Sequence, residues 1–203
     1  MKTGRTIPAL MIHVFLFITC SSFIPTPGAM RYMYSIIYNG KKIGRVSLLQ
    51  QKDQQHQFIS IHTTASVKKI VTFDVLSRDE AMFDNGVLMW SSVYREVNGK
   101  EHENKKTKLN NSNYDLHNGD NKTTLSGKIT GNMINLYVNE PANEKQIYSD
   151  SHQQFVNVSQ TAPHVYAIDL PDGSHNTYQY TNNVCSKVSI STRFYDISFE
   201  LEK

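Results

Sequence analysis

The sequence predicts an all-β fold: a strongly curved antiparallel meander closing into a barrel or half-barrel, with a two-sheet sandwich as the alternative. Three observations carry that prediction. Extended runs with apolar residues at alternate positions recur along most of the chain. Asn-Gly pairs at Asn39-Gly40, Asn85-Gly86 and Asn98-Gly99 separate several of them. Asn-Gly suits the type I′ hairpin turn, which needs positive φ at both central residues. No strand–helix alternation is present, so a parallel sheet is not expected. The pattern yields about a dozen strands, and an open flat sheet of that size has to curl or split.

The first strand is Arg31 to Tyr38, with Tyr32, Tyr34, Ile36 and Tyr38 on one face because strand side chains alternate. The chain returns over Lys42 to Gln50. Ile43, Val46 and Leu48 are out of phase across Gly44, which predicts a β-bulge there. A polar link, Gln50 to Gln57, leads to a third strand, Phe58 to Val67. Ile70 to Phe83 reads as extended with a soft spot at Ser77 to Glu80. Val87 to Val97 follows, with Leu88, Trp90, Ser92 and Tyr94 expected on one face. Glu101 to Asn110 reads as an exposed strand, and Lys100 to Lys108 as a solvated charged face rather than an anion site.

Tyr114 to His117 and Lys122 to Ser126 are short strands, and Met133 to Val138 alternates like another. Ser149 to Phe155 is too irregular for one strand and is expected to be a short helix or crossover. Val165 to Leu170, Asn176 to Thr181, Val184 to Ile190 and Tyr195 to Leu201 complete the meander, turning at Pro171-Asp172-Gly173-Ser174 and Asn182-Asn183.

Residues 1–29 have the layout of a secretory signal peptide, leaving 30–203 as a single β domain. Lys2 and Arg5 precede an apolar core, Ile7 to Ile18, that is short for a transmembrane helix of about 20 residues. Ser21, Ser22 and Ala29 are candidate last residues of the leader. Cys20, preceded by Phe17-Ile18-Thr19, loosely resembles a lipidation site, so an outer-membrane lipoprotein is the alternative to a free exported protein. A periplasmic or extracellular location is expected either way, with no transmembrane segment in the mature chain. Without Lys2 and Arg5, 19 basic residues face 18 acidic ones, which speaks against a nucleic-acid partner.

The chain has no glycine-rich phosphate loop, no GxSxG nucleophile elbow and no HExxH motif, and its two cysteines are too far apart for a zinc-type pair. No cofactor or metal is expected. Cys185 reads as a small buried hydrophobe. His164, Asp169, Asp172 and His175 flank one hairpin and are the candidates for acid–base work, should they converge. Eleven tyrosines and one tryptophan are the stronger compositional signal. Tyr34, Tyr38, Leu88, Trp90, Tyr94, Tyr178 and Tyr180 are candidate ligand-lining residues, because aromatics on a concave sheet suit an amphipathic ligand.

Three segments carry a family resemblance: Tyr34 to Gly44 (YSIIYNGKKIG), Phe83 to Lys100 (FDNGVLMWSSVYREVNGK) and Leu170 to Cys185 (LPDGSHNTYQYTNNVC). They resemble a family of secreted Bacteroidota proteins described as a domain of unknown function, of the 6134 type. The opening YxxxxNGKxIG is also distantly similar to envelope half-barrel β-proteins akin to periplasmic lipoprotein carriers. The resemblance implies compartment and fold, and it transfers no functional residues. The expected function is a non-enzymatic envelope β-protein holding a lipid or other amphipathic ligand in its curved sheet. The alternatives are a structural or interaction module with a packed core that binds an envelope protein, and a hydrolase using His164, Asp169 or His175.

Overall fold

The structure is a computed structural model that describes residues 28–68 and 72–203. The expected leader and Cys20 lie outside the described residues, apart from Gly28 and Ala29. Eight strands run as an unbroken meander: β1 (Ala29–Tyr38), β2 (Lys41–Lys52), β3 (His56–Lys68), β4 (Thr72–Asp84), β5 (Val87–Val97), β6 (Lys100–Asn110), β7 (Asn113–Asn118) and β8 (Asn121–Ser126). A 3-10 helix (Met133–Tyr137) and a separate hairpin, β9 (Gln146–Ser149) with β10 (Gln154–Asn157), follow. The meander resumes with β11 (Ser159–Ala162), β12 (Val165–Asp169), β13 (His175–Thr181), β14 (Val184–Ser191) and β15 (Asp196–Leu201).

Apart from β9 and β10, the described strands form one antiparallel sheet of thirteen, in the order β11 to β15, then β1 to β8. The last strand therefore returns to the first, with Tyr34 opposite Leu201 and Ile36 opposite Phe199. The sheet edges β8 and β11 are not hydrogen-bonded to each other, so the sheet is curved and open rather than a closed barrel. Its curvature follows from the short helix, which contacts β3 and β4 on one side and β14 on the other. Strands that far apart in the sheet reach one helix only if the sheet wraps around it.

The turn chemistry matches the sequence. Asn39 and Gly40 have φ of 48° and 72°, and Asn85-Gly86 and Asn98-Gly99 are alike. Gly44 sits where the β1–β2 register slips, with Ile43 as the extra residue, which is the bulge expected from the sequence. A Cβ on Gly44 would lie 2.2 Å from the Thr64 carbonyl oxygen, so the close approach of β3 requires glycine.

Four expectations need correction. Ser77 to Glu80 is no soft spot but part of an unbroken β4 paired on both sides. Met133 to Val138 is a 3-10 helix over Met133–Tyr137 with Val138 as its C-cap, rather than a strand. Asn132 caps it: its side chain accepts from the Asn135 backbone N–H, while the Asn135 side chain accepts from the Asn132 N–H. That reciprocal capping box outweighs an alternation short enough to fit either structure. Ser149 to Phe155 runs from the end of β9 through a tight turn into β10, so it is the tip of a hairpin within the crossing segment rather than a helix. Finally, Leu88 does not share a face with Trp90 and Tyr94. Met82 pairs with Trp90 but Phe83 pairs with Leu88, which leaves Met89 as a bulge that inverts the alternation. Leu88, Ser91 and Val93 point inward, whereas Trp90 stands half-buried on the convex face against Phe58, with ring centroids 6.2 Å apart.

Candidate functional site: a plugged concave face with buried carboxyls

The concave face is aromatic, as expected, but the chain itself occupies it. Residues 127–158 cross the interior between the two sheet edges, and the 3-10 helix is the plug. Its Ile134, Leu136 and Tyr137 are buried. Tyr137 stacks edge-on between Tyr34, at 5.6 Å, and Tyr178, at 6.2 Å. The wall also binds the plug through polar contacts. The Tyr180 hydroxyl donates to the Leu136 carbonyl at 2.6 Å, while the Tyr34 hydroxyl ties β1 to β14 within the wall by donating to the Cys185 carbonyl at 2.9 Å. The Tyr114 hydroxyl donates to the Leu88 carbonyl and accepts the Ile129 N–H, which fastens the start of the crossing segment to β5.

Of the candidate ligand-lining residues, Tyr34, Leu88, Tyr178 and Tyr180 are buried in this packing. Tyr38 is half-buried further along the same side of β1. Trp90 and Tyr94 are on the convex face because of the Met89 bulge, and the Tyr94 hydroxyl donates to Glu96 at 3.1 Å. The seven therefore do not line one chamber. Two open depressions of the surface, of about 470 and 330 Å³, lie elsewhere, around Gly44 and Leu76 and around Gly40 and Ile190.

The hairpin residues do not converge either. His175 meets Asp169 at 2.7 Å, with both side chains exposed. His164 instead contacts Glu140 at 3.0 Å, and Asp172 approaches His152 at 3.6 Å. His152 also contacts the Ser149 hydroxyl through Nδ1 at 3.0 Å. The serine of this Ser–His–Asp chain is fully buried, and its oxygen also accepts the His152 backbone N–H. Cys185 is buried, and burial pushes its thiol up to about 12. Among the described residues no three metal-ligating side chains cluster.

One cluster was not foreseen. Alternation along β4 turns Val75, Ser77, Asp79, Ala81 and Phe83 inward, which puts a carboxylate on the core side. Burial pushes Asp79 up to about 7, and the neighbouring Asp150 and Glu103 add to that rise while Arg95 and Ser77 oppose it. Asp79 keeps a minor part of its residue surface accessible, so the carboxyl is enclosed at the margin of the core rather than at its centre. Asp150, in the β9–β10 turn, is buried and pushed up to about 6 by that burial. It accepts from the Asn132 side chain at 3.0 Å, directly on the plug's cap. The buried Ser91 hydroxyl faces it, close enough to favour its charged form but outside good hydrogen-bond geometry. Arg95 and Lys105 both pair with Glu103, at 3.0 and 3.1 Å. Glu103 and Lys105 thus face inward from a segment expected to be a solvated face. The Lys105 ammonium also donates to the Ser151 carbonyl, which ties β6 to the β9–β10 turn. The signal in the sequence was Asp79 in phase with Val75, Ala81 and Phe83.

A family model described as a domain of unknown function (DUF6134) matches residues 34–202. The chain belongs to that family. No curated protein matches it. Among solved structures, this DUF6134 chain is similar to the β-barrel-like protein of domain of unknown function DUF1849 from Brucella abortus. The TM-score is 0.57 at 11% identity, over 85% of this chain and 95% of that one. At that identity the likeness is one of fold. The DUF6134 match spans the sheet, the plug and the buried carboxyls together.

Proposed function

We propose that this DUF6134 protein is an exported bacterial-envelope protein that acts as a non-catalytic interaction module, through its surface rather than through a ligand chamber. The observation that carries this reading is the filled concave face: Tyr137 of the plug lies between Tyr34 and Tyr178, where an amphipathic ligand would have to sit. The basic, then apolar, N-terminal run supports export. The surfaces on offer are the two sheet edges. β8 and β11 each have a strand neighbour on one side only, and their side chains are largely exposed. An extended segment of a partner can add to such an edge through main-chain hydrogen bonds.

Two measurements test the reading. Native mass spectrometry of gently purified protein is expected to give the mass of the bare chain. A stoichiometric co-purifying lipid would instead favour the carrier reading, in which the plug moves aside. Photo-crosslinking residues at Thr123 on β8 and Gln160 on β11 are expected to capture a discrete envelope partner. Equal, diffuse labelling from these sites and from a convex-face control at Ser92 would overturn the edge assignment.

A further inference from the structure

We propose that the junction between Asp79 on β4 and Asp150 in the β9–β10 turn is a proton-operated latch. It holds the plug against the wall when one of the two carboxyls carries a proton and loosens the plug when both are charged. The argument rests on position and charge count. Asp79 belongs to the wall, and Asp150 belongs to the crossing segment and bears on the plug's cap through Asn132. Register sets Asp79 beside Val93 of β5 and Val93 beside Lys105 of β6, and the Lys105 ammonium donates to the Ser151 carbonyl next to Asp150, so wall and turn meet here through side chains.

The surrounding charges leave the pair unmatched. From β5 the facing cation is Arg95, and from β6 it is Lys105, but both pair with the third carboxylate, Glu103. Three carboxylates therefore share two cations, and one negative charge is in excess when all are ionised. His152, on the same turn as Asp150, is paired outward with Asp172 of the β12–β13 turn. Tyr137 of the plug and Tyr148 of β9 also face the carboxyls, and burial raises both phenols, so they stay neutral. One bound proton balances the cluster. The directions in which Asp79 and Asp150 titrate agree with this, since both hold protons more firmly than an exposed aspartate.

Hydrogen exchange of the full chain tests the latch. Protection factors, corrected for intrinsic exchange, would be followed from pH 5.5 to 8.5 at the plug amides of Val138 and Asn139 and at wall amides of β1 to β3. The Val138 and Asn139 N–H groups both donate to the Asn135 carbonyl, so they report whether the helix is formed. A carboxyl that rises from 3.8 to about 7 on closing is expected to lower plug protection about thirtyfold over that range, with the wall unchanged. In Asp79→Asn the plug should stay protected throughout. A plug-to-wall ratio that is flat with pH in the wild type would overturn the proposal even if the variant failed to fold. So would an unchanged pH dependence in Asp79→Asn.

Discussion

Tyr180 on β13 donates its hydroxyl to the carbonyl of Leu136 in the plug at 2.6 Å, joining the sheet to the segment that fills it. The bond is buried, so removing the donor leaves a carbonyl without its partner. Tyr180→Phe is expected to lower unfolding stability by about 1–3 kcal/mol with little change in m-value. Leu136→Ala, which empties part of the plug, is expected to cost about 2–5 kcal/mol. Urea titration of both variants checks the pair. If Tyr180→Phe matched the wild type, the plug would not depend on that bond.

The buried carboxyl gives a pH prediction with a definite sign. Asp79 has a folded pKa of about 7, above its ordinary 3.8, so the folded state binds its proton more tightly. Its contribution is neutral below about pH 4 and grows unfavourable as pH rises, reaching its full size above about pH 7. Asp79→Asn removes that penalty. The variant should exceed the wild type at pH 8 by about 2–4 kcal/mol, toward the lower figure because the residue is partly accessible. The gap should close toward pH 4. Urea midpoints at pH 4, 6 and 8 measure it, and a gap that grew on acidification would reverse the assignment.

Two glycines that look alike in sequence should respond differently in size and in cause. Gly44→Ala drives a Cβ to 2.2 Å from the Thr64 carbonyl oxygen and 2.7 Å from the Ala65 Cα, both backbone atoms that cannot step aside. It is expected to cost about 3 kcal/mol or more, or to force β2 off register. Gly40→Ala meets nothing within 4 Å and is strained only by its φ of +72°. About 1 kcal/mol is expected there. Thermal unfolding of the two variants side by side settles the order.

Cys185 should be chemically silent while the protein is folded. It is buried, and its thiol is held in the neutral form by burial. At pH 8 a disulfide-exchange reagent is expected to label it only as fast as the sheet or plug opens, and at once in denaturant. Rapid labelling of the native protein would mean that the plug does not cover β14.

Trp90 is the single tryptophan and lies on the convex face beside Phe58. Its emission should therefore report that face and not the plug. Phe58→Ala is expected to red-shift the emission, whereas Leu136→Ala should leave it unchanged in the folded state. A shift from the plug variant alone would place Trp90 on the concave side.

Much of the wall was legible from residues. The Asn-Gly turns announced themselves because few other residues enter the left-handed region at low cost, and the Ile43–Gly44 bulge showed as a break in the apolar phase. The Met89 bulge did not show, because Val87, Leu88, Met89 and Trp90 are all apolar and either phase fits. That ambiguity alone moved Trp90 and Tyr94 to the wrong face. The carboxyl site was half legible. Asp79 stands in an inward phase, but its meaning depends on Asp150, seventy-one positions later in sequence, and on Glu103 and Arg95 of the adjoining strands.

By itself the sequence determined the class of this protein, since side-chain alternation and turn preference act over two to four residues and need no knowledge of the rest of the chain. Local chemistry could also have marked the Asn132–Asn135 capping box, whose partners are three residues apart. Only the tertiary structure decided that the concave aromatics are covered rather than open, because that depends on where residues 127–158 travel once the sheet curls. It also decided which polar side chains lose their water there. Curvature brings β3, β4 and β14 around one short helix, and the packing of those distant strands turns an ordinary aspartate into a buried carboxyl at the plug's margin.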